Sequence, residues 1–215
     1  MIKLEKTSVM NMENAIRGMR NPMNSWSKSD SYSTHIENPQ TLNTAEFAFF
    51  VGENDHKLMM NLAKGGSDDR KFMRQIFVSV DITAPLYWWK EYDTYKVGTV
   101  ANSTSTMHKI HAKPFSREDF SCERMSDTAI MCLDKVIQVL EDRRTEYVVT
   151  GDTAYWHDMI QLLPSSYNQL RTCTMNYENL VNMYHARKNH KLPEWHTFCD
   201  WIVDLPYSEI ITGLS

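Results

Sequence analysis

A run of alternating apolar and polar residues, 74–83, limits what this chain can fold into more than any other feature. In RQIFVSVDIT the apolar side chains at every second position are those of Ile76, Val78, Val80 and Ile82. A period of two is typical of a strand that buries one face and leaves the other partly exposed. Phe77 points toward the second face. We therefore predict a half-exposed strand that packs one face on a hydrophobic core.

The residues that follow this strand predict a helix. Ala84 and Pro85 are followed by the aromatic segment LYWWKEY. Proline is well tolerated in the first turn of a helix, because the N–H group that it lacks has no partner there. We predict that Pro85 opens this helix.

Apolar residues three or four positions apart predict six more helices. These helices span 12–20 with Asn11 as N-cap, 55–64, 127–147, 152–163, 176–187 and 193–203. Shorter apolar segments predict strands at 3–10, 45–51 and 167–175. Residues 21–43 are rich in Asn, Ser, Thr and Pro, which predicts a long loop. The elements give an α+β fold in which helices dominate, and 215 residues with 42% hydrophobic content fit a single domain, 1–215.

Charge and cysteine spacing argue against several classes of protein. A formal net charge of -4 gives no basic field, so a nucleic-acid polymer is not an expected partner. No run approaches the roughly 20 apolar residues needed to cross a bilayer, and the N-terminus lacks the layout of a signal peptide. We expect free thiols, no membrane contact and a cytoplasmic location. The cysteines, too far apart for a C-x-x-C pair, are Cys122, Cys132, Cys173 and Cys199.

A hydroxyl-rich segment with basic residues, 97–113, suits an anion. Hydroxyl and backbone N–H groups donate to phosphate oxygens, and lysines supply positive charge. The same mixture is also typical of a solvated loop, so both interpretations stand. His108 and His111 share one helical face, but no Cys, Asp or Glu nearby completes a ligand set, and we predict no metal site. The polar and basic residues are Thr99, Asn102, Ser103, Thr104, Ser105, Thr106, Lys109 and Lys113, with Lys90 and Lys96 just before them.

The order of these elements, together with three short landmarks, resembles a known family. The landmarks are Ala84-Pro85 at the start of a helix, Leu163-Pro164 with Tyr167 after it, and Asn176, Asn182 and Arg187 on a later helix. Over about 52–204 this layout resembles the core of the flavin-dependent thymidylate synthases, the ThyX family. The resemblance implies a helix-rich α+β fold with a central, mainly antiparallel sheet.

The signature motif of that family, R-H-R-x-x-S-x-N-E-x-S-x-R-Y, is poorly matched. Counted from Pro85, it falls on 94–107. A positive charge remains at Lys96 and hydroxyls remain at Thr99 and Thr104, whereas Thr106 stands where the motif has an arginine. Glu91 replaces a glutamine that touches the pyrimidine in the family. The substitutions leave the substrate phosphate site short of arginines.

The family's chemistry indicates what this chain would do if it kept that chemistry. In the family, reduced FAD helps move a one-carbon unit from methylenetetrahydrofolate to C5 of dUMP, and NADPH recharges the flavin. The resemblance therefore implies methylation of dUMP to dTMP, or related chemistry on a pyrimidine deoxynucleotide, in a homotetramer with shared active sites. It implies that Arg187 orients the pyrimidine ring. The implied flavin-side residues are Lys71, Arg74, Lys96, Thr99, Asn176 and Asn182, and the implied substrate-side residues are Glu91, Thr104, Thr106 and Arg187.

Three alternatives stay open at the level of sequence. Arg187 also fits a surface arginine at a helix C-terminus, where the helix dipole favours a positive charge. Glu91 only accepts hydrogen bonds, so it favours a base edge rich in donors, such as that of cytosine. The lost arginines also fit a non-catalytic nucleotide-binding or assembly protein that keeps the scaffold and has lost flavin chemistry.

Overall fold

The computed structural model describes residues 2–36 and 46–213. The strands are β1 (Lys3–Met10), β2 (Tyr32–Ile36), β3 (Glu46–Phe50), β4 (Phe77–Pro85), β5 (Val100–Ser103) and β6 (Asn168–Asn176). The helices are α1 (Met12–Arg20), α2 (Glu53–Ala63), α3 (Leu86–Tyr92), α4 (Thr106–Lys109), α5 (Asp127–Thr150), α6 (Thr153–Leu162), α7 (Tyr177–Arg187), α8 (Pro193–Val203) and α9 (Glu209–Thr212). Short 3-10 helices lie at Asn21–Met23, Trp26–Lys28, Arg70–Gln75 and Arg117–Asp119.

Four strands form the central sheet in the order β1-β4-β6-β5, and every neighbouring pair is antiparallel. The central pair is β4 with β6, in which all nine residues of each strand are paired, from Phe77 opposite Asn176 to Pro85 opposite Asn168. Strands β2 and β3 form a separate antiparallel hairpin. The predicted α+β class with a mainly antiparallel sheet is confirmed.

Strand β4 has the two different faces that its sequence predicts. Val78, Val80 and Ile82 are at most 1% exposed, whereas Phe77 is 39% exposed. The buried side chains pack in the main hydrophobic core together with residues of α1, α3, α7 and α8. One face of the sheet is therefore covered by helices, and the opposite face carries polar side chains.

Large aromatic side chains fix α3 against α8. Trp88, Trp195 and Phe198 are fully buried. The ring centroids of Trp88 and Trp195 lie 4.8 Å apart, and those of Trp195 and Phe198 lie 5.5 Å apart. Each such aromatic pair stabilises the fold by about 1 kcal/mol beyond the burial of its area. The packing holds the C-terminal end of α3 in a defined position.

Helices α5 and α6 pack on each other around a smaller hydrophobic cluster. Its buried members are Ile110, Phe115, Phe120, Leu133, Leu140 and Met159. Helix α5 forms as predicted, but only Leu133 and Leu140 of its apolar residues are buried. Met131 is 63% exposed and Val139 is 44% exposed. Part of the apolar surface of α5 therefore lies on the outside of the chain.

Three predictions differ from the structure. Pro85 is the last residue of β4 and the N-cap of α3, so it precedes the helix that it was expected to open. The predicted strand start at Arg74 is wrong, because Arg70–Gln75 forms a 3-10 helix. The predicted loop at 21–43 contains β2, and residues 37–43 lie outside the described ones.

The features predicted around helix α1 and the cysteines have mixed outcomes. Asn11 stands at the N-cap of α1, but its side chain makes no capping bond, and its Nδ2 instead donates to the carbonyl of Gln75 over 2.9 Å. All four cysteines are free, as expected. Among residues 2–36 and 46–213, no helix has the length and apolar character to cross a membrane, and no three or more potential metal ligands cluster together.

A buried carboxylate ties the segment before β2 to α2. Asp55 is fully buried and Arg20 is 4% exposed, and Arg20 Nε donates to Asp55 Oδ1 over 2.5 Å. Asp55 Oδ2 accepts from Ser29 Oγ over 2.7 Å, from Ser31 Oγ over 2.6 Å and from Ser31 N over 3.0 Å. Burial by itself raises the pKa of Asp55, but these hydrogen bonds outweigh it and lower that pKa from 3.8 to about 2.

We predict that Asp55→Asn lowers the free energy of unfolding by about 3 kcal/mol, because it leaves the Arg20 guanidinium buried without a counter-charge. Urea denaturation followed by circular dichroism measures this change. The control is Asp158→Asn, which removes a carboxylate from the exposed side of α6. Equal stability of the two variants would show that the Asp55 network does not hold the fold together.

The same carboxylate predicts a pH dependence. Its pKa is lower in the folded protein than in the unfolded chain, so its stabilising contribution is complete above pH 3.8 and is lost as the pH falls toward 2. The shift corresponds to about 2 kcal/mol. We expect the difference in unfolding free energy between wild type and Asp55→Asn to shrink between pH 5 and about pH 2. A difference that stays constant over this range contradicts the assignment.

Candidate functional site

Arg187 and Glu91, both predicted as substrate-side residues, are in direct contact. Arg187 is the last residue of α7, and Glu91 lies in the last turn of α3. Arg187 Nη1 donates to Glu91 Oε2 over 2.6 Å. The side chain of Arg187 is 15% exposed, and that of Glu91 is 41% exposed. The pair therefore presents an open carboxylate next to a largely buried guanidinium.

Aromatic rings hold the Arg187 guanidinium in place. Its Nε donates to the hydroxyl of Tyr95 over 2.8 Å. Its Cζ lies 5.4 Å from the ring centre of Tyr95 and 4.8 Å from that of Trp195, within the range of cation–π attraction. Burial lowers the pKa of Arg187, but hydrogen bonds with Tyr95 and Glu91 more than offset it, so the guanidinium stays charged. With three partners, Arg187 is a positioned residue rather than a freely solvated one.

His190 also lies near the Glu91 carboxylate. Its Nδ1 accepts from the backbone N–H of Leu192 over 3.2 Å. In the neutral ring the proton is therefore on Nε2, which lies 4.0 Å from Glu91 Oε2. Both neighbours of the Glu91 carboxylate face the same oxygen, Oε2. Within the described part of the chain, Oε1 has no recorded partner and remains an acceptor for a ligand.

A cleft of about 560 Å³ lies between the turn after α3 and the start of α7. Tyr95 forms part of its wall, so the cleft adjoins the Arg187 cluster. Its volume lies within the range of about 300 to 1,000 Å³ that small-molecule sites occupy. Four of the six predicted flavin-side residues line this cleft, namely Arg74, Lys96, Asn176 and Asn182.

A close approach between a turn and a helix shapes the cleft. Asn176 Oδ1 accepts from Asn179 N over 2.9 Å, and Asn179 Oδ1 accepts from Asn176 N over 3.1 Å, so the two residues cap α7. Asn179 Nδ2 also donates to the carbonyl of Val97 over 2.7 Å. The next residue, Gly98, has a φ of +77°, and a Cβ there would lie 3.1 Å from Asn176 Nδ2 and from Asn179 Oδ1. Glycine is required here by both backbone conformation and space.

The two cations of the cleft differ in availability. Arg74 Nε donates to the carboxylate of Glu178. Arg74 Nη2 donates to the carbonyl of Ser67 over 3.1 Å. Lys96 is exposed, and across 2–36 and 46–213 no ion pair with it is recorded. Lys96 is therefore the cation that this cleft offers to an anionic ligand.

The remaining predicted site residues lie elsewhere. Thr99 Oγ1 donates to the carbonyl of Tyr95 over 2.5 Å. This hydrogen bond stabilises the turn, so the hydroxyl hydrogen of Thr99 is not available to a ligand. Lys71 lines a different cleft of about 660 Å³ beside α1 and α2. Thr104 and Thr106 line a cavity of about 810 Å³. Within this chain, neither the six flavin-side residues nor the four substrate-side residues form one continuous site.

The sequence interpretation missed Tyr95, His190 and Trp195 as partners of the Arg187–Glu91 pair. Tyr95 falls at the histidine of the family motif, which is the one signal that was available for it. Trp195 lies on α8, and its contact with Arg187 depends on how two helices pack. Such a contact leaves no pattern in a single sequence.

Solved structures share this fold. The flavin-dependent thymidylate synthase ThyX from Helicobacter pylori, complexed with FAD and dUMP, matches with a TM-score of 0.67 and 12% identity, over 98% of this chain and 97% of that one. A second structure of ThyX from Helicobacter pylori with FAD and dUMP matches with a TM-score of 0.66 and 13% identity, over 99% and 97%. The UMP/dUMP methylase PolB from Streptomyces cacaoi, bound with 5-Br dUMP, matches with a TM-score of 0.63 and 10% identity, over 100% and 95%.

These matches extend over nearly the whole chain and establish its fold. No family model matches the chain, and no curated protein matches it in sequence. At identities of 10% to 13%, the matches establish the fold of the backbone and assign no role to any residue of this chain. The predicted ThyX-like fold is confirmed.

We predict that Gly98→Ala lowers the free energy of unfolding by about 1 to 2 kcal/mol, because alanine is strained at positive φ and its Cβ crowds the α7 cap. The matched control is Gly66→Ala, since a Cβ at Gly66 meets nothing within 4 Å. Thermal denaturation of both variants measures the effect. Similar melting temperatures for the two would show that the turn does not need its close approach to α7.

Proposed function

We propose that the chain is a divergent, flavin-dependent pyrimidine-nucleotide methyltransferase of the thymidylate synthase type. In this proposal it binds FAD and a pyrimidine deoxynucleotide, with methylation of dUMP to dTMP as the reference reaction. NADPH would reduce the flavin, and methylenetetrahydrofolate would supply the carbon. The structures that share its fold were solved with FAD and dUMP or with 5-Br dUMP, and this favours the same classes of ligand here.

One observation supports the proposal most. The fold brings Arg187, Glu91 and Tyr95 together at the border of a polar cleft, although the signature motif is almost absent from the sequence. A guanidinium held by a hydroxyl, a carboxylate and two aromatic rings keeps its donors in a fixed direction. Such a group orients a planar base by hydrogen bonds, which is the role the resemblance implies for Arg187.

The residues of the 560 Å³ cleft fit part of a flavin nucleotide. Lys96 offers positive charge for a phosphate, Asn176 Nδ2 offers a donor, the amide of Asn182 offers a donor and an acceptor, and Tyr95 offers an aromatic wall. Arg74 contributes less, because Glu178 already neutralises it. In the proposed reaction, the flavin reduced by NADPH would supply the hydride that converts the transferred methylene to a methyl group, C5 of the pyrimidine would lose its proton, and tetrahydrofolate would leave. The chain's own residues bind the flavin and the nucleotide and orient them.

Two of the four thiols are poor candidates for a nucleophile. Burial raises the pKa of Cys173 and the pKa of Cys199 to about 11 each. Both thiols therefore stay protonated near neutral pH. These two thiols are therefore not suited to attack the pyrimidine.

The proposal includes self-association in the cytoplasm as a homotetramer with shared active sites. Helix α5 leaves Met131, Val139, Val148 and Val149 between 44% and 78% exposed. Apolar side chains exposed along one long helix would suit an interface between copies of the chain. A second copy of the chain would cover it and would also complete sites that one chain leaves apart.

Glu91 favours a second candidate substrate. Its free Oε1 only accepts hydrogen bonds, and cytosine offers an amino group where uracil offers a carbonyl. A binding panel of dUMP and dCMP distinguishes the two bases. Tighter binding of dCMP by wild type, reversed in Glu91→Gln, would assign the cytosine nucleotide.

We predict that Arg187→Ala lowers turnover of the nucleotide by at least about 100-fold, because it removes a charge-assisted contact and leaves Glu91 unpaired. Formation of the methylated product in the presence of FAD, NADPH and methylenetetrahydrofolate measures the effect. Arg17→Ala, which removes an exposed guanidinium from α1, is the control. Unchanged turnover in a folded Arg187→Ala protein removes Arg187 from the site. No turnover by wild type with either nucleotide favours the non-catalytic alternative.

A further inference from the structure

We infer that the 810 Å³ cavity holds a phosphate group through Lys3 and Lys109. The resemblance gives neither lysine a role, because Lys3 precedes the matched region and Lys109 follows the signature motif. That the phosphate belongs to a nucleotide rests on the proposed function. That the cavity binds an anion rests on the structure of this chain.

Residues from neighbouring strands bring Lys3 to the cavity. Lys3 of β1 is paired with Thr83 of β4, and Thr83 is paired with Leu170 of β6. The backbone N–H of Thr104 donates to the carbonyl of Leu170 over 2.9 Å. These four residues therefore form a row across one end of the sheet. The row lies on the face opposite the main core, since Thr83 alternates with the buried residues Ile82 and Ala84.

Two of the four cations in the cavity wall are already neutralised. Lys113 forms an ion pair with Asp119, and this hydrogen bond, with the nearby charges of Asp119 and Glu118, raises the pKa of Lys113. Arg117 Nε donates to Asp134 Oδ1 over 3.0 Å, and a second bond joins its Nη2 to the same carboxylate. The wall also carries three carboxylates, those of Glu118, Asp119 and Glu123, and the first two lie near Lys113.

Lys3 and Lys109 are the cations that remain. Both are exposed and line the cavity, and in the described part of the chain neither has a recorded ion pair. An ammonium group without a partner, beside a pocket with hydroxyl groups, is suited to an anion with several acceptor oxygens. A phosphate monoester is such an anion, whereas a neutral ligand would use neither charge.

Hydroxyl donors converge on the same cavity. Ser105 Oγ accepts from the backbone N–H of His108 over 2.9 Å, which leaves its O–H free to donate. Thr106 and Thr83 also line the cavity, and no hydrogen bond of either side chain is recorded within 2–36 and 46–213. Phosphate oxygens accept several hydrogen bonds at once, so two lysines and three hydroxyls form a suitable set.

The cavity wall is held in place before any ligand arrives. Phe120 is paired with Tyr167 by an isolated bridge, and their rings lie 5.6 Å apart. Ser116 and Asp119 form a reciprocal capping box, and Trp156 Nε1 donates to the carbonyl of Met107 over 2.9 Å. Ordered surroundings reduce the entropy that binding has to overcome. Only the lysine side chains need to settle on the ligand.

The experiment measures the binding of inorganic phosphate and of dUMP by isothermal titration calorimetry at two salt concentrations. It uses the full chain as wild type, Lys3→Met, Lys109→Met and the combined variant. Lys135→Met, which removes an exposed charge from α5, is the control. Circular dichroism and thermal denaturation establish that each variant is folded.

We expect the combined variant to bind both ligands about tenfold more weakly than wild type, with a smaller dependence on salt, and the control to bind as wild type does. Equal affinities of wild type and the combined variant for both ligands would overturn the proposal. In another outcome, wild type binds inorganic phosphate and the combined variant does not, but wild type binds dUMP no more tightly than phosphate. This result would support the anion site and contradict the proposed function. Binding of neither ligand by wild type would overturn both.

Discussion

The pairing of β4 with β6 is the constraint on which the rest of the structure depends. All nine residues of each strand are paired, so the register is fixed over the full length of both. Helix α3 follows β4 at one end of this pair, and α7 follows β6 at the other end. The C-terminal ends of the two helices nevertheless meet, as the hydrogen bond from Arg187 to Glu91 shows. A change of register by one residue would turn Val78, Val80 and Ile82 out of the core and separate the two helix ends.

In the proposed function, the Arg187 cluster is the part of the site that remains although most of the sequence motif is lost. Its members come from three separate parts of the chain: α3 with the turn after it, the end of α7, and α8. Glu91 neutralises part of the charge of Arg187, and Tyr95 and Trp195 confine its guanidinium. An arginine held in this way is a directional donor rather than a general attractor of anions. The loss of arginines from the motif therefore removes charge but leaves one positioned guanidinium.

Charge for a phosphate would then come from three lysines, of which Lys96 lies inside the motif and Lys3 and Lys109 lie outside it. Lys96 lines the cleft beside Tyr95, whereas Lys3 and Lys109 line the cavity at one end of the sheet. A lysine is a compact charge on a flexible stem, so it tolerates a change of position better than the rigid fork of an arginine. A chain with this fold can therefore keep phosphate binding while its sequence changes widely.

The periodicity of apolar residues and the resemblance to the ThyX family together predict most of the fold. Apolar alternation places β4 to within a few residues, and the Asn176 cap and Arg187 bound α7 as the sequence suggests. Strand β5 was missed because all four of its residues are exposed and it has no apolar alternation, so only its pairing with β6 defines it. Strand β2 was missed for a related reason, since YSTHI lies in a polar segment and forms by pairing with β3.

Site residues were harder to predict than elements. Arg187 and Glu91 were predicted from the resemblance, and the structure brings them together. Lys3 was not predicted, because its place in the cavity depends on the pairing of β1 with β4 across the sheet.

The most direct test of the central claim is the visible absorbance spectrum of the purified protein, before and after adding FAD and desalting. The account predicts retained bands of oxidised flavin; a folded protein that retains no flavin would contradict it.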